Sequence, residues 1–321
     1  MHLDDRIARR MKLHDLHILM TVVEAGSMNK AAAVLNMTQP AVSRSIAELE
    51  RTVGVGLLDR NARGVEPTAY GRALLNGGTA AFDDLRQALK DIEFLADPTA
   101  GEVRIGCSPI LAMSFVSAVI ERLSRRYPKI VFHFVIEPIE ALPRELTERN
   151  VDVVIAQRLG AIMDERLDFG FVFDAPFVVA AGAQNPWVLR RKIDLAELVN
   201  EPWTLPPRTS ALGSTAEEAF RASGLRYPHT TVFVLPTEVR ISLLMTGPYL
   251  TILASFALHV PVWRSAIKVL PVELALHRVQ VGIVTLKNRT LSPVARLFID
   301  APRTKSRSRW RKANVRCRPK R

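Results

Sequence analysis

Residues 27–50, SMNKAAAVLNMTQPAVSRSIAELE, constrain the fold more than any other segment of the chain. The three consecutive alanines at 31–33 favour helix and let a second helix approach closely. Asn36 stands where the chain would turn, because asparagine tolerates the left-handed conformation. Three apolar residues follow helical spacing and predict the buried face of a second helix: Val42, Ile46 and Leu49. The segment therefore predicts two short helices joined by a tight turn.

Polar side chains occupy the other face of the second predicted helix, namely Gln39, Ser43 and Arg44. Glutamine and arginine can form two hydrogen bonds with a base edge, and serine can contact a base or a phosphate. Ser27 and Thr38 stand at predicted N-caps, and Pro40 falls in a first turn, where its missing N–H costs nothing. This is the layout of a helix-turn-helix, whose second helix lies in the DNA major groove. A plain helical hairpin with a solvated polar face is the alternative.

Residues 13–72 resemble the N-terminal domain of the LysR-type transcriptional regulators. Positions that match the family pattern are Leu16, Val23, Glu24, Gly26, Ser27, Ala31, Ala32, Leu35, Gln39, Pro40, Ala41, Val42, Ser43, Ile46, Leu49, Glu50, Gly54, Val55, Leu57, Arg60, Thr68 and Gly71. Leu19 and Leu58 stand where the family usually has phenylalanine. The resemblance implies a winged helix-turn-helix on double-stranded promoter or operator DNA, with a wing whose arginines contact phosphates. The predicted DNA-binding residues are Ser27, Thr38, Gln39, Pro40, Ser43, Arg44, Arg60 and Arg63.

The composition predicts a soluble globular protein of two or three domains, since 48% of the 321 residues are hydrophobic and 24% are charged. Residues 1–12 are charged and lack the apolar core of a signal peptide, and no run of 18 apolar residues occurs. Cys107 and Cys317 give neither a disulfide framework nor metal-ligand spacing. The seven histidines show no metal-ligand spacing, and no phosphate-binding or dinucleotide motif is present. A cytoplasmic protein without membrane contact, metal or cofactor is expected.

The net charge of +12 arises largely from residues 303–321, which contain ten lysines and arginines and no acidic residue. The rest of the chain holds 34 basic and 32 acidic residues. Such a segment cannot bury a core and is predicted to be disordered. It would add either a nonspecific, salt-sensitive contact to nucleic acid or only a solvated appendage.

Residues 68–97 predict a linker helix between a DNA-binding domain at 1–67 and a larger domain at 98–302. Thr68 could cap this helix. Two apolar series repeat every seven residues: Leu75, Phe82, Leu89 and Ala96, and Gly78, Leu85 and Ile92. Such a seam predicts pairing with another helix, although packing on the same chain is the alternative. The resemblance implies a homodimer through this helix and assembly into a tetramer.

From Val103 onward, strand-like and helical segments alternate, which predicts mainly parallel sheets covered by helices. Strands are expected at 103–107, 130–136, 151–156, 171–180, 231–235, 250–253 and 279–286, and helices at 110–127, 139–149, 215–223, 238–246 and 292–299. The region resembles the effector-binding part of the same regulators, which is built like a periplasmic binding protein. The resemblance implies two α/β lobes, one at about 101–172 and 275–302 and the other at about 173–274.

Ligands of open α/β sheets bind beyond the carboxyl ends of strands, often at helix N-termini. Ser108 and Pro109 follow the first strand and open the first helix, so they would suit a carboxylate or another anion, although a simple N-cap explains them equally. Other predicted effector-binding residues are Thr204, Pro206, Thr246 and Gly247. The expected effector is a small molecule such as an organic acid or a sugar.

These features together predict a sequence-specific transcriptional regulator, not an enzyme, controlled by a small molecule held between two lobes. A solute-binding transport component is one alternative, which the extra N-terminal domain disfavours. A cytosolic enzyme using the same cleft is another, and no catalytic set supports it, because no partner can be assigned to Cys107.

Overall fold

The computed structural model describes residues 11–61, 64–158 and 164–302, so the predicted basic tail lies outside the described residues. The chain divides into two compact units, Met1–Leu89 and Lys90–Arg321. Among the helices within the described ranges, none is long and apolar enough to cross a membrane.

In the residues that the structure describes, the first unit contains three short helices, a hairpin and most of a long helix. The elements are α1 (Leu13–Ala25), α2 (Met28–Val34), α3 (Gln39–Val53), β1 (Leu58–Asn61), β2 (Gly64–Pro67) and α4 (Ala69–Ala96). Asn36 adopts φ 52° between α2 and α3, which confirms the predicted left-handed turn. The core joins the inner faces of α1, α2 and α3, with Ile18, Ala31 and Ile46 fully buried. The expected wing is the antiparallel hairpin of β1 and β2.

The apolar seam of α4 has two parts. Thr68 caps the helix, because its Oγ1 accepts a hydrogen bond from Gly71 N at 3.0 Å. Leu75 and Phe82 pack against the core of their own unit. A Cβ on Gly78 would lie 3.0 Å from Leu16, so this glycine permits close packing against α1. Farther along α4, the apolar side chains of the two heptad series are exposed, and so is that of Leu95 beside them. Their exposed fractions are 46% for Leu85, 60% for Leu89, 62% for Ile92 and 81% for Leu95.

The described part of the second unit contains two five-stranded sheets. The first has the order β4-β3-β5-β12-β6, with β3 (Ala100–Cys107), β4 (Lys129–Ile136), β5 (Val153–Arg158), β6 (Leu167–Ala175) and β12 (Val279–Leu286). β3, β4 and β5 run parallel, whereas β12 is antiparallel to both of its neighbours. Its helices are α5, which comprises Pro109–Leu111, a π-helical segment at Ala112–Val116 and Ser117–Arg126, and α6 (Leu142–Thr147). Residues 293–302 form a further helix, α9.

The second sheet has the order β11-β7-β10-β8-β9, with β7 (Phe177–Gly182), β8 (Trp203–Leu205), β9 (Thr230–Phe233), β10 (Leu250–Ala254) and β11 (Ile267–Val269). Helices α7 (Ala211–Ala222) and α8 (Thr237–Thr246) accompany it. β8, β9 and β10 are parallel, and β7 is antiparallel to β10 and β11. Both sheets are therefore mixed, and the expectation of mainly parallel sheets holds only for three strands of each.

The strand expected at 171–180 is wrong, because two strands occupy this region. β6 ends at Ala175 in the first sheet, and β7 begins at Phe177 in the second. Pro176 lies between them and has no N–H to donate to a continuous ladder. Its carbonyl accepts a hydrogen bond from Ser255 N at 2.9 Å instead. The chain crosses from one sheet to the other at Pro176, slightly beyond the division expected at 172–173.

Candidate functional site

Helix α3 separates its apolar and polar residues onto two faces. Val42 and Ile46 are fully buried in the core of the first unit. Gln39 and Arg44 are exposed on the opposite side, and Ser43 is half-buried. The long side chains that can form two hydrogen bonds with a base edge therefore extend into solvent, as a helix that enters a major groove requires.

Ser27 and Thr38 precede α2 and α3 with extended backbones, as N-cap residues do. Within the described residues, however, neither hydroxyl accepts a hydrogen bond from the first turn of its helix, so the expected side-chain caps are absent. Pro40 lies in the first turn of α3 as predicted. Both helix starts therefore leave a hydroxyl and backbone N–H groups that can bind a phosphate.

The hairpin is fixed to the helices at its base. Glu50 Oε1 on α3 accepts hydrogen bonds from Leu57 N at 2.8 Å and Leu58 N at 3.3 Å. Val65 N donates to Gly26 O at 3.1 Å, at the turn between α1 and α2. Arg60 is exposed on β1, and the predicted Arg63 lies outside the described residues. Arg60 is therefore an exposed cation on a hairpin that is hydrogen-bonded to α3 and to the turn before α2.

A cavity of about 160 Å³ lies in the second unit, at the carboxyl ends of strands and the N-termini of helices. It is lined by Ser108, Pro109, Ile110, Ile136, Glu137, Pro138, Ile139, Glu140, Gln157, Leu212, Leu235, Pro236, Thr237 and Glu238. One side of the cavity is formed by residues in or next to β3, β4, β5 and α5, which belong with the first sheet. The other side is formed by residues in or next to α7 and α8, which accompany the second sheet. Clefts of this position bind small ligands in open α/β folds.

The walls of this cavity are acidic. Glu137, Glu140 and Glu238 contribute carboxylates, and no basic side chain is found among the lining residues that the structure describes. Three lining atoms are buried without a hydrogen-bond partner in the described part of the chain: Ser108 Oγ, Gln157 Oε1 and Glu238 Oε1. Buried polar atoms are normally hydrogen-bonded, so these three atoms are available to a ligand or water in the cavity.

Arg240 lines a smaller recess beside this cavity and is only 1% exposed. Its Nη1 donates to Ile252 O at 2.9 Å and to Thr251 Oγ1 at 3.2 Å, and its Nη2 donates to Thr237 Oγ1 at 2.9 Å. Burial lowers the pKa of Arg240 to about 10, and the nearby charge of Glu238 acts in the opposite direction. The guanidinium therefore stays charged at neutral pH and is fixed in orientation.

The structure brings only some of the predicted ligand-binding residues together. Ser108 and Pro109 line the cavity, and Pro206 lines a smaller recess beside it. Thr204 is fully buried in β8, where its carbonyl accepts a hydrogen bond from Thr251 Oγ1 at 2.7 Å. Thr246 and Gly247 lie elsewhere, because they end α8 while Thr237 at its start lines the cavity. A ten-residue helix is about 15 Å long, and this length separates its two ends.

The sequence did not single out the acidic and amide residues of the cavity, Glu137, Glu140, Gln157 and Glu238. Ligands of open α/β sheets bind beyond the carboxyl ends of strands, which is the reason for predicting Ser108. The same reasoning indicates two of these four residues, since Glu137 follows β4 and Gln157 lies at the end of β5. Cys107 is fully buried, and burial raises the pKa of its thiol to about 12, so it remains protonated. Across the described ranges, no group of three or more His, Cys, Asp or Glu side chains could hold a metal ion.

Two family models match the chain. The bacterial regulatory helix-turn-helix protein, lysR family, matches residues 13–72, and the LysR substrate binding domain matches residues 96–307. Among curated proteins, the HTH-type transcriptional regulator GbpR of Azospirillum brasilense is 27% identical over 95% of this chain and 89% of its own length. The GbpR of Rhizobium radiobacter is 31% identical over 68% of this chain and 72% of its own length.

Solved structures share the fold over most of the chain. A full-length OxyR variant from Pseudomonas aeruginosa has a TM-score of 0.66 at 19% identity and covers 92% of this chain and 95% of its own. Full-length CbnR, solved in complex with its target DNA, has a TM-score of 0.54 at 19% identity and covers 91% of this chain and 99% of its own.

Proposed function

The chain belongs to the lysR family of bacterial regulatory helix-turn-helix proteins and is a transcriptional regulator with an effector-binding domain, and from this premise we propose which of its residues bind DNA and effector. The observation that carries the proposal is the two-faced helix α3. Its inner face is fully buried, and its outer face exposes Gln39 and Arg44.

We propose that Gln39, Ser43 and Arg44 contact base edges in the major groove. Ser27, Thr38 and Pro40 at the helix starts, together with Arg60 and Arg63 of the wing, would contact the phosphate backbone. Phosphate contacts fix the register, and base contacts give specificity. Because residues outside the basic tail have nearly balanced charge, specificity depends on these contacts more than on bulk positive charge.

We propose a homodimer through the exposed part of α4, which places two α3 helices on two half-sites. The exposed leucines and isoleucine at 85, 89, 92 and 95 support this pairing, because a contiguous apolar stripe on a soluble protein marks an interaction site. Dimers would associate into a tetramer through other surfaces. The protein would act in the cytoplasm, where its DNA target lies.

We propose that the effector, an organic acid or a sugar, binds in the cavity that Ser108 and Pro109 line, beside the recess that Pro206 lines. Because the lining comes from both lobes, a ligand can favour one arrangement of the lobes over another. It can shift that equilibrium only by its differential affinity for the two arrangements. A role as a solute-binding transport component has no comparable support.

Footprinting with the full-length protein on the DNA that flanks its own coding region tests the proposal. We expect a protected site containing two half-sites one helical turn or a multiple apart. Addition of the effector should change the extent of protection or its affinity. Uniform, sequence-independent protection at physiological salt would contradict it.

A further inference from the structure

The linker helix α4 buries a polar stripe toward its C-terminal end and exposes an apolar one. Asp83, Gln87, Lys90 and Phe94 are spaced three or four residues apart and therefore lie on one face. Asp83 and Gln87 are each 1% exposed, the side chain of Lys90 is 12% exposed, and Phe94 packs against the core of the second unit. Lysine is almost never buried unless it is paired. The burial of Lys90 therefore requires partners of opposite charge.

Two carboxylates of the second unit surround the ammonium group of Lys90. Its Nζ lies 3.3 Å from Glu102 Oε1 on β3 and 4.0 Å from Oδ2 of Asp152, the residue directly before β5. The Asp152 side chain is 4% exposed, and it accepts hydrogen bonds from Arg104 N at 2.9 Å and from Arg289 Nη2 at 3.1 Å. Asp152 therefore joins four segments of the chain: the end of α4, β3, the start of β5 and the turn after β12.

The first lobe keeps its own hydrogen bonds without Lys90. If Lys90 is replaced, Asp152 still accepts hydrogen bonds from Arg104 N and from Arg289, so its buried charge stays paired. Glu102 is 37% exposed and stays solvated. The ion pair of Lys90 is therefore not required for this lobe to fold, and its effect falls on the helix that carries it.

A second ion pair between the end of α4 and this lobe is exposed. Asp97, directly after the helix, has its Oδ2 2.7 Å from Lys129 Nζ, but the two side chains are 39% and 65% exposed. Exposed ion pairs contribute little, because water screens them and both side chains lose freedom. Phe94 adds apolar packing one turn after Lys90, and such packing is non-directional. Lys90 is therefore the residue that fixes the orientation of the helix end on the lobe.

Strand β5 connects this ion pair to the effector cavity. Asp152 directly precedes the strand, and Gln157, five residues later, lines the cavity. At about 3.3 Å per residue, the two positions lie ~17 Å apart along the strand. β5 is the central strand of its sheet, paired with β3 and β12, so it moves as one element.

Resting on the effector site proposed above, we infer that Lys90 is a positioning residue for effector control. Its ion pair with Asp152 holds the end of α4 against β5, so that a rearrangement of the lobes at the cavity also moves the linker helix. Because coupling between two sites is reciprocal, DNA binding at the other end of α4 then also affects the cavity.

Hydrogen–deuterium exchange tests the attachment of the helix end in the full-length protein. Lys90→Met removes the charge, keeps most of the side-chain volume and favours helix as lysine does. We expect the amides of residues 91–96 to exchange at least about tenfold faster, because a helix end that opens locally exposes its hydrogen bonds. Lys90→Arg should keep the slow exchange, and so should the control Lys268→Met at an exposed position on β11. Equal exchange in wild type and Lys90→Met would overturn the inference.

A thiol on the cavity lining tests the coupling. Glu137→Cys provides the thiol, and Cys317→Ser leaves Cys107, which is fully buried, as the one other cysteine of the sequence. The rate of reaction with an aromatic disulfide reagent is measured with and without a duplex of the DNA that flanks the coding region. We expect this DNA to change the rate at least about fivefold when residue 90 is lysine or arginine, and to leave it unchanged in Lys90→Met. An equal DNA effect in Lys90→Met, or no effect when lysine is present, would overturn the inference.

The outcomes separate this inference from the proposed function. If the flanking DNA is bound no better than a scrambled duplex, sequence-specific regulation fails, and hydrogen exchange alone decides whether Lys90 holds the end of α4. If the DNA is bound specifically but leaves the cavity thiol unchanged in every protein, DNA recognition stands and the coupling through Lys90 is overturned.

Discussion

Leu89→Ala should weaken the dimer without disturbing the helix that carries it. Leu89 is 60% exposed on α4, and alanine favours helix at least as well as leucine does. Complete burial of a leucine side chain contributes ~1.5–3 kcal/mol, so covering the exposed part contributes about 1–2 kcal/mol. A symmetric pair loses this contribution twice, about 2–4 kcal/mol in all, which raises the dimer Kd by about 30- to 700-fold.

Sedimentation equilibrium over a dilution series measures this Kd directly. Leu189→Ala is the matched control, because Leu189 is 88% exposed at the end of a short 3₁₀ helix far along the chain from α4. The control should keep the wild-type dimer Kd. If Leu89→Ala also keeps it, the exposed stripe of α4 is not the dimer interface, and the proposed pairing is refuted.

Three further substitutions follow from the geometry. Arg44→Ala should cost about 1–3 kcal/mol of site-specific binding free energy and relax sequence preference in gel shifts. The control Arg51→Ala, on the last turn of the same helix, should leave the preference unchanged. Equal sequence preference in the two variants would exclude Arg44 from base contact. Ile46→Ala removes a fully buried side chain and should lower the free energy of urea unfolding of the first unit by about 2–5 kcal/mol; a loss below about 1 kcal/mol would contradict the packing. Hydrogen bonds from Lys129 and then from Thr99 lower the pKa of Asp97 to about 2, below its ordinary value of 3.8. Because the folded value is the lower one, the stabilisation is present above about pH 4 and is lost as the pH falls toward 2. Asp97→Asn should therefore differ from wild type in stability at neutral pH and converge with it in acid, and a gap that is constant with pH would count against this ion pair.

The DNA-binding domain could be predicted closely because its structure depends on local signals. Asn36 marks the turn, and the spacing of Val42, Ile46 and Leu49 marks the buried face of α3. Gly78 is different, because glycine is a poor helix former and its place in the apolar series of α4 does not reveal what it packs against. Its role becomes clear only when α1 packs against it through Leu16.

The ligand cavity was harder to predict because distant parts of the chain form it. Ser108 follows from the end of β3, but Glu238 enters only because α8 begins beside the other sheet. The sequence predicts a helix that ends at Thr246, but the sequence of a helix does not indicate which of its two ends lies at the cavity. The division of 171–180 into two strands likewise depends on Pro176 joining two different sheets.

The central claim is that the outer face of α3 distinguishes one DNA sequence from others. The most direct test is the ratio of affinities for the DNA flanking its own coding region and for a scrambled duplex of the same length, measured at physiological salt. For the wild-type protein we expect a ratio of at least about 10³. Replacing Gln39 and Arg44 together by alanine should reduce this ratio sharply while preserving nonspecific binding. A ratio near one for the wild type, or an unchanged ratio for the double variant, would contradict the account.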